Sequence, residues 1–331
     1  MNNIYADMIL EIKRILEKSK RNIVKNINKE MLVSYWNIGK ILFEKFNNSN
    51  DNSFRKFSKM LNEQFGKGFS RTNMQNMIKL YNSDLTGQSL TGQLSWTHLC
   101  ELLSISNDEK RKFYEKECIN SNWSVRELKR QINTSLYERI ILSKSEINKN
   151  TIIELAHKGN EINKPEDIVK DPYVFEFLNI PESKLLVESE FEKSLIENIK
   201  DFILELGKGF MFVGTQQRIT IDNTHYYVDM VFYNKILKSY VLIELKTGKF
   251  MASAVGQLNM YLNYYAKEIS DDDDNSPIGI ILCAEKDNIA VEYALGNLNS
   301  KIFASKYIMY IPKKEELIEQ VESLINLKLK L

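Results

Sequence analysis

The chain has 331 residues, 43% of them hydrophobic and 27% charged, with 13 glycines and 5 prolines. That length accommodates two ordinary domains, and that balance excludes fibrous and disordered classes in favour of long regular elements. Net charge is only +1, yet residues 1–150 hold 25 Lys and Arg against 16 Asp and Glu, while residues 151–331 hold 20 against 28. A basic half beside an acidic half fits a nucleic-acid-binding module joined to a carboxylate-bearing one, with ordinary surface variation as the alternative.

No apolar run approaches a membrane span, and the charged amphipathic start MNNIYADMILEIKRILEKSK lacks the apolar core of a secretory signal. The three cysteines, Cys100, Cys118 and Cys283, are far apart and form no CxxC or Cys/His cluster. Neither a zinc site nor a disulfide framework is indicated, so a cytoplasmic setting without membrane attachment is expected.

The first 140 residues read as helical. Ile9, Ile12, Ile15 and Leu16 recur at helical spacing, and Met31, Leu32, Tyr35, Trp36, Ile38, Ile41 and Leu42 continue the rhythm. Phe54, Phe57, Met60, Leu61 and Phe65 share a second amphipathic face, which ends at Gly66-Lys67-Gly68. Ser70 then stands as the N-cap of a helix through Met77, Ile78 and Tyr81. A helix, a glycine-bearing turn and a capped helix opening with Arg71, Thr72 and Asn73 outline a helix-turn-helix. Arg71 and Asn73 are its candidate DNA contacts, and plain helical-hairpin packing is the competing reading. LTGQ-S-LTGQ within residues 83–95 reads as a polar loop; helical periodicity resumes over Trp96–Ile105, 108–120 and 124–141, where Ser124 and Glu127 match a capping box.

Residues 146–182 contain Pro165, Pro172 and Pro181 and are expected to be a connector between a helical domain at 1–145 and a second domain at 183–331. A single long helix is expected over 183–206, closed by Gly207 and Gly209. Strands follow at Phe210–Ile221, Tyr226–Tyr233 and Tyr240–Leu245, then a helix at Ala252–Lys267, a buried strand at Ile278–Cys283, a helix at Ile289–Leu298 and a short strand at Tyr307–Ile311. The fold class is therefore all-helical followed by α/β with a mixed sheet.

The second strand carries Asp229 and the third carries Glu244 and Lys246, which are two apart and leave one face of the strand. If the strands are hairpin neighbours, two carboxylates and a lysine converge amid apolar residues, an arrangement that pairing or a metal would have to compensate. Phosphodiester hydrolysis needs a more acidic water and charge relief on the phosphoryl oxygens; a carboxylate-held divalent metal supplies both, and a lysine beside it can orient the water. An ordinary alternating strand with an Asp–Lys salt bridge is the alternative.

Asp229, fourteen residues and then Glu244-Leu245-Lys246 resembles the PD-(D/E)XK nuclease signature. The surrounding blocks resemble the YhcG-like branch of that superfamily: residues 195–219, 226–250, 256–265 and 278–295, with 66–81, 94–103 and 111–132 in the first half. The resemblance implies a restriction-endonuclease-like αβββαβ core and a Mg²⁺-dependent deoxyribonuclease, with Mn²⁺ as a substitute. It makes Asp229, Glu244 and the Leu245 carbonyl metal ligands and gives Lys246 the attacking water. Glu197 corresponds to an acidic residue that completes such sites, or is a surface helix carboxylate like Glu192 and Glu205 near it. Gln257 corresponds to a glutamine that orients catalytic groups. Gln216 and Arg218 are candidates for substrate phosphate, or an exposed strand pair. Val228 replaces the superfamily's proline, and Thr215 stands where a basic residue is expected.

Two functions follow. One is a DNA endonuclease acting on duplex, branched or foreign DNA. The other is a DNA-binding regulator or scaffold with a nuclease-like domain. RNA is a third substrate class, without an RNP aromatic signature in its support. Control of a hazardous activity leads to the expectation of a homo-oligomer or a nuclease-complex partner.

Overall fold

The first apolar rhythm folds as one 45-residue helix, α1 (Asn2–Phe46). In this computed structural model, residues 2–46, 51–83, 92–144, 149–181, 187–296 and 301–328 are described; most of the LTGQ duplication and the first residues expected in the 183–206 helix lie outside them. Leu32, Gly39 and Leu42 turn one side of α1 inward. At Gly39 a Cβ would fall 2.0 Å from the Met77 carbonyl oxygen, so glycine is what lets the next helix pair cross α1 closely.

That pair is α2 (Asp51–Phe65) and α3 (Arg71–Asn82), linked by a 3-10 turn at Lys67–Phe69. The Ser70 hydroxyl accepts the Asn73 N–H at 3.2 Å, so the cap read from the sequence is in place. Met74, Met77 and Leu80 bury the inner face of α3. Then come α4 (Trp96–Leu102), α5 (Asp108–Ser121) and α6 (Val125–Asn133). The capping box of α6 is also formed, with Ser124 N–H donating to Glu127 Oε2 at 2.6 Å and Glu127 N–H to Ser124 Oγ at 3.3 Å. Residues 124–141 are not one helix: Ser135, at φ 53°, breaks the run before α7 (Leu136–Ser143).

The chain divides into two compact units, Met1–Lys129 and Arg130–Leu331. The second begins inside α6 and includes the proline-bearing stretch expected as a connector, which forms α8 (Lys149–Lys158) and the two-residue strand β1 (Tyr173–Val174). Next, α9 (Glu188–Glu197) and α10 (Ile199–Leu206) replace the single expected helix. The break is at Asn198, whose backbone leaves the helical region (φ −110°, ψ 31°) and whose amide donates back to the Ser194 carbonyl at 2.9 Å.

The sheet continues with β2 (Phe210–Ile221), β3 (Thr224–Asn234), β4 (Ser239–Lys249), β5 (Ile278–Glu285) and β6 (Lys301–Ile308) in the order β1-β6-β5-β4-β3-β2. β2, β3 and β4 are an antiparallel meander, whereas β4-β5-β6-β1 pair in parallel. Helix α11 (Ala252–Tyr264) crosses between β4 and β5, α12 (Asn288–Leu295) between β5 and β6, and α13 (Lys314–Lys328) follows β6. Central β4 is buried on both faces, which is why it reads as a continuous apolar run. Val241, Ile243 and Leu245 join Phe191, Leu195 and Phe202 of α9 and α10 in one core. Leu242 joins Leu258, Tyr261 and Leu262 of α11 in the other. The result is helix, sheet, helix in three layers.

One buried ion cluster fastens the early part of this unit. Glu205 of α10 is fully buried; its Oε1 accepts Arg139 Nη1 and the Val174 N–H (3.0 Å), and its Oε2 accepts Arg130 Nη1 at 3.1 Å. Arg130 also forks onto Glu176 at 2.7 and 3.0 Å, and Lys170 Nζ donates to the Glu205 carbonyl. Burial alone would raise the Glu205 pKa; Arg139, Lys170 and Arg130 outweigh it and hold it at about 2.

Candidate active site

The antiparallel ladder between β3 and β4 runs from Asn234↔Ser239 to Met230↔Ile243 and stops there. β4 nevertheless continues against β5 through Lys246↔Cys283. Past Met230 the two strands therefore share no ladder, and the freed Leu245 N–H donates to Asp229 Oδ2 at 2.8 Å. A side chain thus satisfies a donor that the sheet has released. N–H and C=O of one strand residue face the same side, so the Leu245 carbonyl faces the β3 side as well.

Alternation places Glu244 and Lys246 on the face of β4 that also carries Leu242, the α11 side. Lys246 Nζ donates to Glu244 Oε1 at 3.0 Å and to Glu188 Oε2 at 3.4 Å. Glu244 is 2% exposed, and its Oε2 is buried without a hydrogen-bond partner. Burial, then the neighbouring Asp229 carboxylate, push the Glu244 pKa up to about 7, against a smaller opposing pull from Lys246. Asp229 is raised too, chiefly by burial. Lys246 is held above the usual lysine range: burial lowers it, but Glu244, Glu188 and Asp229 prevail. Two carboxylates and one lysine leave the site short of positive charge.

On the other side of β3, the pairs Thr215↔Met230 and Gln217↔Val228 set Gln216 opposite Asp229. Gln216 has φ 46°, a strained value for a non-glycine residue. Its Nε2 donates to Asp229 Oδ1 at 3.3 Å and to Glu192 Oε2 at 2.8 Å. Gln257 is joined to the cluster indirectly, donating to the Tyr261 hydroxyl at 2.6 Å. Burial raises the Tyr261 pKa, and Glu244 and Asp229 add to the rise.

Asp229, Glu244, Lys246 and Gln216 are thus brought together, while Gln257 bonds Tyr261, whose hydroxyl feels the charges of Glu244 and Asp229. Glu197 is not among them: it is exposed at the last position of α9. Glu188, which accepts from Lys246, and Glu192, which accepts from Gln216, border the cluster instead. They are four residues apart and share a helix face, whereas Glu197 lies nine residues from Glu188 and so projects from the opposite face at about 100° per residue. Arg218 is exposed on β2 opposite Tyr227. In the N-terminal unit, Asn73 accepts Trp96 Nε1 at 2.6 Å and donates to the Gly68 carbonyl, so its amide braces the turn before α3 instead of standing ready for substrate. Arg71 is exposed at the first position of α3.

Glu188, Glu192 and Tyr261 were not among the expected site residues. Their i, i+4 relations, Glu188 to Glu192 and Gln257 to Tyr261, are the signal that could have found them. Among the described residues no three His, Cys, Asp or Glu side chains converge as a metal-ligand set. The pair Asp229 and Glu244 still fits a Mg²⁺-like ion, which takes one or two protein carboxylates and completes its shell with water and phosphate oxygens. The unpartnered Glu244 Oε2 is the atom such an ion would satisfy.

Residues 166–322 match the family model described as the YhcG PDDEXK nuclease domain, and residues 11–139 match the DUF1016 N-terminal domain. A protein of Escherichia coli (strain K12) named "Putative nuclease YhcG" is 32% identical over 93% of this chain and 91% of its own length. The solved "Structure of EndoMS-dsDNA2 complex" aligns over 41% of this chain and 50% of that one, at 19% identity and TM-score 0.28. A repair endonuclease from Pyrococcus abyssi aligns over 38% and 50%, at 18% identity and TM-score 0.26. This chain thus spans about half the length of those two solved chains. Among the described residues no helix is long and apolar enough to cross a membrane.

Proposed function

The chain belongs to the YhcG family, whose C-terminal domain is a PD-(D/E)XK nuclease, and from that membership we propose that it is a divalent-metal-dependent endonuclease hydrolysing DNA phosphodiester bonds. The observation that carries the reading is the meeting of Asp229, Glu244 and Lys246 where β3 and β4 part, with one buried carboxylate oxygen lacking a partner.

Asp229, Glu244 and the Leu245 carbonyl would hold the ion, Mg²⁺ by preference and Mn²⁺ as a substitute. When bound, it polarises the phosphoryl group and makes water more acidic. Lys246 aligns the attacking water and offsets charge that develops on it. Gln216 fixes the Asp229 carboxylate against Glu192, and Gln257 braces Tyr261. Arg218, exposed two residues beyond Gln216, is a substrate-phosphate contact in this reading.

The positive excess of the first 150 residues supports a polyanionic substrate. We assign DNA contact to the helical unit, with Arg71 at the start of α3 facing a phosphate. The three cysteines are free, which suits a cytoplasmic setting. A DNA-binding scaffold is the weaker reading, because all three members of the catalytic set are present.

Cleavage of matched linear, single-stranded, flapped and four-way-junction DNA, with an RNA control and a chelator control, tests the proposal. Glu244→Ala and Lys246→Ala are expected to lower the rate by roughly 10²–10³-fold or more while DNA binding persists. Unchanged cleavage in these variants would overturn it.

A further inference from the structure

Helix α1 is exposed on every side from Met8 to Ile27 and packs on one face only from Asn28 onward. Leu32, Gly39 and Leu42 pack inward, and the Asn28 amide donates to the Gly92 carbonyl at 3.4 Å on the same side. Most of half a turn away, Ile9, Ile12, Leu16, Ile23, Ile27 and Met31 run along the helix at 65, 53, 56, 56, 55 and 40% exposure. Their spacing of three, four, seven, four and four residues keeps them on one side over about 33 Å of helix. Six half-exposed side chains at roughly 100 Å² each present on the order of 600 Å². That reaches the top of the ~300–600 Å² range of the largest patch on an ordinary monomer and approaches the about 800 Å² per partner of a standard interface.

We propose that this stripe is a self-association surface, covered by α1 of a second copy of the chain in antiparallel orientation. The charges on the stripe select both partner and direction. Lys13 and Lys20 lie toward its start and middle, and Glu30 near its end. Antiparallel pairing sets Lys13 beside Glu30 of the second copy while Ile12 meets Met31 and Leu16 meets Ile27. Parallel pairing stacks Lys13 on Lys13 and Lys20 on Lys20. Such a two-fold contact is isologous, each copy offering the same patch. A membrane surface fits less well: residues 8–31 contain no Trp, Tyr or Phe, the side chains with which interfacial helices anchor. The proposal does not rest on the nuclease reading.

The test is the mass of the full chain by light scattering and sedimentation equilibrium. Twice 38.7 kDa is expected, falling to the single mass in Leu16→Glu/Ile23→Glu with an unchanged far-UV circular dichroism spectrum. Because both positions are exposed, the variant should remain folded. Lys13→Glu and Glu30→Lys should each weaken the dimer by roughly tenfold, and combining them should restore it. A monomeric wild type, a dimer that survives the double glutamate variant, or no rescue by the charge swap overturns the proposal. So does a monomer whose stripe binds phosphatidylserine-containing vesicles, which would reassign the surface to lipid.

Discussion

Replacing Glu205 with glutamine keeps the size of a fully buried side chain and removes the charge that Arg139, Arg130 and Lys170 surround. Holding that carboxyl at about 2 against an ordinary 4.5 corresponds to on the order of 3 kcal/mol, at about 1.4 kcal/mol per pKa unit. Two guanidinium groups are left facing a neutral amide, and removing one partner of a buried ion pair typically costs about 3–5 kcal/mol. For a unit of this size the expected fall in Tm is roughly 10 °C. The pH dependence has a definite sign. The folded pKa lies below the unfolded one, so the contribution is complete above about 4.5 and is lost as pH falls through about 2. Denaturant unfolding followed by circular dichroism, repeated across that window, measures both quantities. Trp36, Trp96 and Trp123 all lie in the N-terminal unit, so tryptophan fluorescence monitors that unit alongside. A loss under about 1 kcal/mol at neutral pH, or a variant as pH-sensitive as the wild type between 4.5 and 2, refutes the assignment of Glu205 as a charge-locked anchor.

Other outcomes are open to measurement. Glu192→Ala should slow cleavage by roughly tenfold or more by releasing Gln216 from one partner, whereas Glu197→Ala should leave the rate unchanged; equal effects would contradict the helix register. Without metal, Glu244→Gln should unfold at a higher denaturant concentration than the wild type, by roughly 1 kcal/mol, because a buried carboxylate beside Asp229 is removed. Adding Mg²⁺ at about 100 times its Kd should stabilise the wild type by about 2.7 kcal/mol and leave Asp229→Ala unmoved in a thermal scan. Gly39→Ala drives a Cβ to 2.0 Å from the Met77 carbonyl oxygen, which should cost the N-terminal unit about 1–3 kcal/mol in fluorescence-detected unfolding.

Much of the nuclease core is visible along the chain because its strands state their own environment. β4 is apolar without interruption until Glu244, and an acidic residue there stands out against a strand buried on both faces. Asp229 stands out in the same way on β3. Glu192 and Glu197 could not be told apart by residue type. Choosing between them needs the phase of α9 and the break at Asn198, where a side-chain amide, not a proline or glycine, ends the helix. β1 carries no period in its two residues, and the strand expected at Tyr307–Ile311 lies earlier, at Lys301–Ile308, because Lys301 to Lys306 alternates only weakly. Asn73 was assigned to substrate on chemistry alone; its partners, Trp96 and Gly68, are set by how α3 and α4 meet. The partners of Glu205 lie 66 and 75 residues away, beyond any local pattern.

That last separation bears on how such proteins are inherited. Arg130 and Arg139 fall within the stretch matching the DUF1016 N-terminal domain, and Glu205 within the stretch matching the nuclease domain. A gene fusion that exchanged the helical front anywhere between residues 139 and 166 would carry both arginines away with the front. The new nuclease half would then bury a carboxylate with neither guanidinium beside it. Viable crossovers are consequently expected to fall before Arg130, so that both arginines travel with the nuclease half.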